Sequence, residues 1–188
     1  MGKRVSKVIT RTGDDGTTGI ADGSRLAKND RRIHCLGEVD ELNSQIGLAA
    51  SYSQLEQIRD MLKHVQHDLF DLGAELSQPT RALMQTEHVD QLTTQAEQLN
   101  QTLPPLQEFI LPAGSTAVAQ LHVARSVCRR VERSLVTLNQ QQAINPHSLI
   151  YLNRLSDLLF ILARYQAAQT QQPEVYWQSA YSRIKPTQ

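Results

Sequence analysis

The stretch SQLEQIRDMLKHVQHDLFDLGAEL, from Ser53 to Leu76, decides the fold class of this chain. Leu55, Ile58, Leu62, Val65, Leu69, Leu72 and Leu76 recur by threes and fours, so an α-helix places them along one seam. Ser53 with Glu56 reads as a capping box that opens the helix, and Pro79 stops it. A long helix with one apolar seam must bury that seam against neighbours.

The neighbours follow the same period. From about Ser115 to Gln140, Leu121, Ala124, Cys128, Val131, Leu135 and Leu138 form a second seam. Asn145-Pro146, a cap followed by a first-turn proline, opens a third segment that seats Leu152, Leu155, Leu159 and Leu162 and ends before Pro173. Weaker helical patterns run from about Arg32 to Ala50 and from Thr86 to Leu103. No stretch of this body alternates with a period of two. The expected fold class is all-α, a mostly antiparallel bundle of five helices.

Composition narrows the partners. At 188 residues the chain is one ordinary domain, long enough to bury a core without staples. Its 19 basic and 19 acidic residues cancel, so no global field directs it to nucleic acid or to an anionic membrane, and any anion site is local. It carries no bilayer-spanning apolar run and no signal-peptide pattern. The opening MGKRVS matches a myristoylation pattern, a match too short to weigh. Cys35 and Cys128 sit in apolar helical patterns and read as buried, reduced thiols of a cytoplasmic protein.

Outside the helices the densest signal is TRTGDDGTTG, from Thr10 to Gly19. Glycines bare the backbone N–H groups that a phosphate chain needs, threonine hydroxyls add donors, and Arg11 and Lys28 add positive charge. Asp14 or Asp15 offers a carboxylate to a metal ion on a polyphosphate. The same residues also suit a solvated, turn-rich arm. A second special segment, PPLQEFILPAG from Pro104 to Gly114, presents Phe109, Ile110 and Leu111 between prolines. They read either as a plug over the bundle end or as a wall for an apolar ligand.

Three helices carry polar residues at the edge of their seams. In HVARSVCRRVER, Arg125, Arg129 and Glu132 form a stripe beside the apolar face, while Arg130 and Arg133 point further out. Asp40, Asn43 and Gly47 run beside Val39, Leu42 and Ile46, and Asn153, Asp157 and Phe160 run beside the last seam. Half-buried arginines want carboxylate or phosphate partners, and Asp40 is a natural one. Intrahelical pairing, such as Arg129 with Glu132, is the plainer alternative. No Glu-x-x-His occurs, which excludes the di-metal carboxylate chemistry of bundles, and His64 and His67 lie away from the seam. No serine or cysteine sits in a nucleophile elbow, so an enzyme of this design takes its nucleophile from a substrate.

TRTGDDGTTG, Lys28-Asn29-Asp30, GEVDELNSQIG, FILPAG, LHVARSVCRRVER and LNRLSD occur in an order and at spacings that resemble the PduO-type ATP:cob(I)alamin adenosyltransferases. The resemblance runs from Thr10 to about Pro173. It implies a homotrimer of five-helix bundles, with ATP and a reduced corrinoid bound at each subunit interface. It implies that cobalt(I) attacks the 5′ carbon of ATP, forms the cobalt–carbon bond of adenosylcobalamin and expels inorganic triphosphate. Under it, residues 1–31 form an ATP-phosphate-binding arm, 32–172 the bundle with a corrinoid-facing loop at 104–114, and 173–188 a tail that reads as a lid.

Carried over by position, Thr10, Arg11, Thr12, Gly13, Thr18 and Gly19 look like the phosphate cradle and Lys28 like the phosphate-binding lysine. The stretch Arg129, Arg130, Val131, Glu132, Arg133 resembles the family's ATP-binding run. Arg129 would stabilise the departing phosphates and Glu132 would orient the nucleotide or its magnesium ion. Asn153 resembles an ATP contact, and Asp40 with Arg125 an ion pair between subunits. Phe109 matches the aromatic under the corrin ring that keeps the lower axial ligand off cobalt. A corrinoid reductase or an adenosylcobalamin-dependent enzyme is the implied protein partner. Asp15 stands where many members carry lysine, and Ala113 where many carry glycine. A different class of function, a non-catalytic bundle that senses ATP or docks corrinoid, shares the same motifs.

Overall fold

The computed structural model describes residues 9–179; the MGKRVS motif and the last part of the tail lie outside the described residues. Five helices follow a short N-terminal hairpin: α1 (Arg31–Tyr52), α2 (Glu56–Ser77), α3 (Thr86–Asn100), α4 (Thr116–Asn139) and α5 (Pro146–Gln169). α1 packs between α2 and α4, α4 packs between α1 and α5, and α5 carries α3 and brushes α2. Arg130 reaches Glu38 and Glu41 while Gln142 reaches Arg32, so α1 and α4 run antiparallel.

The seams meet in one core. Ile58, Leu62, Val65, Leu69, Leu72 and Leu76 of α2 are buried in one cluster with the α1 seam, with Leu121, Ala124, Cys128, Val131, Leu135 and Leu138 of α4 and with the leucines of α5. α5 is buried more broadly than its leucine seam implies, for Tyr151, Ser156, Leu158 and Ala163 are also enclosed. It is the helix with neighbours on the most sides. Cys35 and Cys128 are unpaired and buried; burial pushes the Cys35 thiol up to about 11 and the Cys128 thiol further, so both stay protonated and inert.

The caps are local and mostly as the sequence reads. Ser115 caps α4 through the Val118 N–H, and Asn145 caps α5 through the His147 N–H at 3.0 Å with Pro146 in the first turn. The start of α2 is a correction. Ser53 does not form a capping box with Glu56: Leu55 is the N-cap, and the Ser53 hydroxyl donates to the buried Gln166 Oε1 at 2.6 Å. Ser53 is turned into the bundle at the α1–α2 corner, where Gln166 would otherwise be an unsatisfied polar group.

The end of the bundle that bears the N-terminal arm is tied by two buried charged residues. Glu75 accepts from the Leu83 and Met84 N–H groups, from Asn145 Nδ2 and from Ser148 Oγ, all within 2.7–3.0 Å. Arg32 donates to the Leu76 carbonyl and to Gln142 Oε1. These bonds fix the α2 terminus, and with it Ser77, whose carbonyl and hydroxyl both accept from the Ala21 N–H.

Candidate functional site

The arm is a folded hairpin. β1 (Thr17–Gly19) and β2 (Arg25–Ala27) pair antiparallel, and Lys28 N–H closes the turn on the Gly16 carbonyl at 2.9 Å. Arg11 sits at φ 59, a left-handed conformation that arginine rarely adopts, and it turns the chain so that residues 11–16 fold back in consecutive turns. At Gly13 a Cβ would come within 3.2 Å of Lys28 Nζ and 3.0 Å of the Thr17 carbonyl. The Thr17 carbonyl, which is backbone and cannot swing aside, is what favours glycine here, with the Lys28 ammonium packed beside it. The Asp14, Gly16 and Thr17 N–H groups are taken by Arg11, Gly13 and Asp15, so what this turn offers an anion is chiefly the Lys28 ammonium.

Asp15 has a clear local task. Its Oδ1 accepts from the Thr17 N–H at 2.9 Å and the Thr17 hydroxyl at 2.8 Å, and these bonds, with the Arg25 charge nearby, hold its carboxyl below the usual range. Arg25 completes the loop by donating to Thr17 Oγ1 and to the Thr12 carbonyl. Arg25 is absent from the sequence reading; its only signal was a lone basic residue after the DGS turn.

A second cluster lies between α4 and α5. Arg125 and Arg129 line a groove of about 280 Å³ with Asn100, Ser156, Asp157, Phe160 and Ile161. One turn further, Asn153 Nδ2 donates to Glu132 Oε1 at 3.0 Å. The intrahelical Arg129–Glu132 pair does not form among the described residues, and Asn153 occupies one of the two Glu132 oxygens. Arg125 Nε is buried with no hydrogen-bond partner in its own chain, and burial followed by the Arg129 charge lowers its affinity for its proton. A buried, unpartnered Arg125 Nε beside the exposed Arg129 guanidinium suits an anion.

The other residues of this run divide. Arg130 is bound across the helix pair to Glu38 Oε1 at 3.1 Å and Glu41 Oε2 at 2.6 Å, which strengthens its charge. Val131 is wholly buried in the core and presents no side chain to a ligand. Arg133 bonds back to the Arg129 carbonyl. Asp40 makes no ion pair with α4 in its own chain. It lines a different groove, between α1 and α2, with Leu36, Asn43, Leu69 and Phe70. Asn43 and Gly47 face Gln66 of α2: Asn43 Nδ2 donates to the Gln66 carbonyl and Gln66 Nε2 returns a bond to the Asn43 carbonyl.

Phe109 is 72 % exposed, so it plugs nothing in its own chain. The loop that carries it is paired with the tail: Trp177 N–H donates to the Phe109 carbonyl and Leu111 N–H to the Val175 carbonyl, both at 2.7 Å. Phe109 and Trp177 meet edge to face with centroids 6.2 Å apart. Within one chain, therefore, the arm and the α4/α5 groove share no hydrogen bond or ion pair among the described residues, and Asp40 and Arg125 open onto separate faces. The fold brings together Gly13 with Lys28, Arg125 with Arg129, Glu132 with Asn153, and Phe109 with Trp177. It does not bring these sets together.

The chain matches the family model described as cobalamin adenosyltransferase over residues 8–166. It is 53 % identical over 179 residues to a cobalamin adenosyltransferase of Cupriavidus metallidurans, covering 95 % of this chain and 97 % of the relative. It is 43 % identical to the corrinoid adenosyltransferase of Mycobacterium leprae, with 87 % of this chain and 93 % of the relative covered. Its structure superposes with a TM-score of 0.86 on a variant PduO-type ATP:corrinoid adenosyltransferase of Lactobacillus reuteri complexed with cobalamin and ATP, at 35 % identity over 92 % of this chain and all of that one. Sequence motifs, five-helix architecture and these matches agree, and the chain belongs to the cobalamin adenosyltransferase family.

Proposed function

We infer that this protein is an ATP:corrinoid adenosyltransferase, an enzyme that moves the 5′-deoxyadenosyl group of ATP onto the cobalt(I) of a reduced corrinoid and releases inorganic triphosphate. The observation that carries the reading is the α4/α5 groove, where Arg125 and Arg129 stand side by side without an acidic partner next to the Asn153–Glu132 pair. Cobalt(I) is itself the nucleophile, which suits a site with no activated serine or cysteine. What remains for the protein is placement of two substrates and stabilisation of the negative charge that accumulates on the leaving triphosphate.

In this reading the arm grips the phosphates with Thr10, Arg11, Thr12, Gly13, Thr18, Gly19 and Lys28, and Arg129, with Arg133 beside it, receives the leaving charge. Asn153 and Glu132 hold the nucleotide, and Phe109 stands under the corrin ring in place of a lower axial ligand. The two half-sites lie apart in one chain, so the site closes between copies, in a homotrimer whose α1/α2 face meets the next subunit's α4/α5 face. Asp40 of one copy then pairs with Arg125 of another, which meets the unsatisfied Nε. Residues 1–31 serve as the arm, 32–172 as the bundle and 173–188 as a lid, and the two unpaired thiols agree with a cytoplasmic protein.

Magnesium fits the residues in one way. It favours one or two carboxylates with substrate phosphates and water completing its shell, and Glu132 keeps one oxygen beyond its bond to Asn153. No group of three or more metal-ligating side chains occurs among the described residues. Bound there, magnesium would neutralise part of the triphosphate charge.

The test is spectral. Purified protein is mixed with ATP, magnesium and chemically reduced cobalamin, and conversion to the adenosylcobalamin spectrum is followed. Turnover with release of intact triphosphate is expected. ATP binding without turnover would instead make the chain a nucleotide-sensing or corrinoid-docking bundle.

A further inference from the structure

Phe109 poses a mechanical problem. An aromatic ring that must stand at a fixed height under a flat macrocycle is here 72 % exposed, so packing does not hold it. Its position has to come from the backbone, and the backbone of residues 104–111 has no regular structure beyond a single antiparallel bridge, Ile110 to Tyr176. A bridge of that length between two exposed strands is marginal in water unless something else fixes its ends.

One residue fixes both. Arg164 of α5 is 4 % exposed, and its guanidinium forks between the two strands. Nε donates to Glu174 Oε1 at 2.6 Å, at the start of the tail strand, while one terminal nitrogen donates to the Pro104 carbonyl at 2.8 Å, at the start of the loop strand. Ile110, Val118, His122 and Val175 close around it and leave only about 10 Å³ of free space. Gln172 adds a further tie by accepting from the Ser115 N–H at 3.1 Å. A buried guanidinium paired on two sides is strongly directional and resists rearrangement.

We propose that Arg164 is a positioning residue for the corrinoid face: through Glu174 and the Pro104 carbonyl it clamps the loop and the tail into one ribbon and so sets the height of Phe109. This rests on the reading that Phe109 faces the corrinoid. The clamp acts on one substrate only, because Arg164 has no bond to the arm or to Glu132 and Asn153, where the nucleotide is read.

The test uses the full chain and two variants. Glu174→Gln keeps the shape of the tail residue and removes its charge; Arg164→Lys keeps the charge and loses the fork, since one ammonium cannot serve both strands. The chain's single tryptophan is Trp177, in the ribbon itself, so acrylamide quenching of its fluorescence reads the clamp without any activity. Both variants are expected to quench more strongly than wild type, to raise KM for corrinoid about fivefold or more while KM for ATP stays within about twofold, and to lose more activity from cobalt(II) than from cobalt(I). Unchanged quenching, or equal shifts in both KM values, would overturn the proposal. If Arg164→Lys loses helicity, Glu174→Gln, which lies outside the core, decides alone. A wild-type protein that does not adenosylate cobalamin would sink the functional reading, whereas the quenching result would still decide whether the clamp exists.

Discussion

Asn153 of α5 donates to Glu132 Oε1 of α4 at 3.0 Å, and Arg129, three residues earlier on the same helix, makes no ion pair among the described residues. A Glu at i+3 would ordinarily absorb such a charge in a surface pair worth a few tenths of a kcal/mol. Here that pair is absent, α5 holds one of the carboxylate oxygens, and the exposed guanidinium stays available for an anion from outside.

If Arg129 has its proposed role, Arg129→Ala should lower turnover at least about tenfold, because the positive charge that stabilises the leaving triphosphate is lost. The side chain is exposed and unpaired, so thermal unfolding should shift little. Kinetics like wild type would remove Arg129 from its assigned role.

Phe109→Ala separates two steps. If the ring stands under the corrin as proposed, its loss lets a lower ligand return to cobalt, which makes cobalt(II) harder to reduce. The reaction started from cobalt(II) is expected to suffer more than the reaction started from cobalt(I). Equal losses in both assays would leave Phe109 with no part in excluding the lower ligand.

Asp40 and Arg125 open onto different grooves of one chain, so their pairing is a statement about assembly. Asp40→Arg and Arg125→Asp should each weaken the proposed trimer, and the doubly exchanged protein should recover it. Solution mass by light scattering reads the outcome. Recovery absent from the double variant, with both singles still trimeric, would place the pair elsewhere.

His122 gives a pH signature. It is 3 % exposed with Nδ1 unpartnered, and burial, then the Arg125 charge, lowers its pKa from 6.5 to about 4. Between those values the unfolded chain binds a proton that the folded chain refuses, so the folded state loses stability as pH falls through this window. The loss is on the order of 2 kcal/mol. Urea unfolding of wild type and His122→Gln from pH 7 to 4.5 isolates it, since other titrating groups cancel in the difference. A difference that does not change with pH would mean that the ring is solvated.

The fold was legible in the sequence because helix burial is periodic. The leucine seams of α2 and α4 mark buried positions one by one, and Ser115 and Asn145-Pro146 announce their helices through bonds spanning only two or three residues. The cradle residues, the arginine stripe and Phe109 were legible as motifs for the same reason: their spacing lies within one segment. What the chain does with them was decided across segments. Ser53 meets Gln166 over a separation of 113 residues and abandons its cap, Asn153 donates to Glu132, and Arg164 reaches both Pro104 and Glu174. The Ser53 and Arg164 partners are chosen by which buried donors and acceptors would otherwise go unsatisfied, a competition that has no local signature. Residue spacing determined five amphipathic helices and their polar edges; only tertiary packing decided which of those edges are spent within the chain and which remain open.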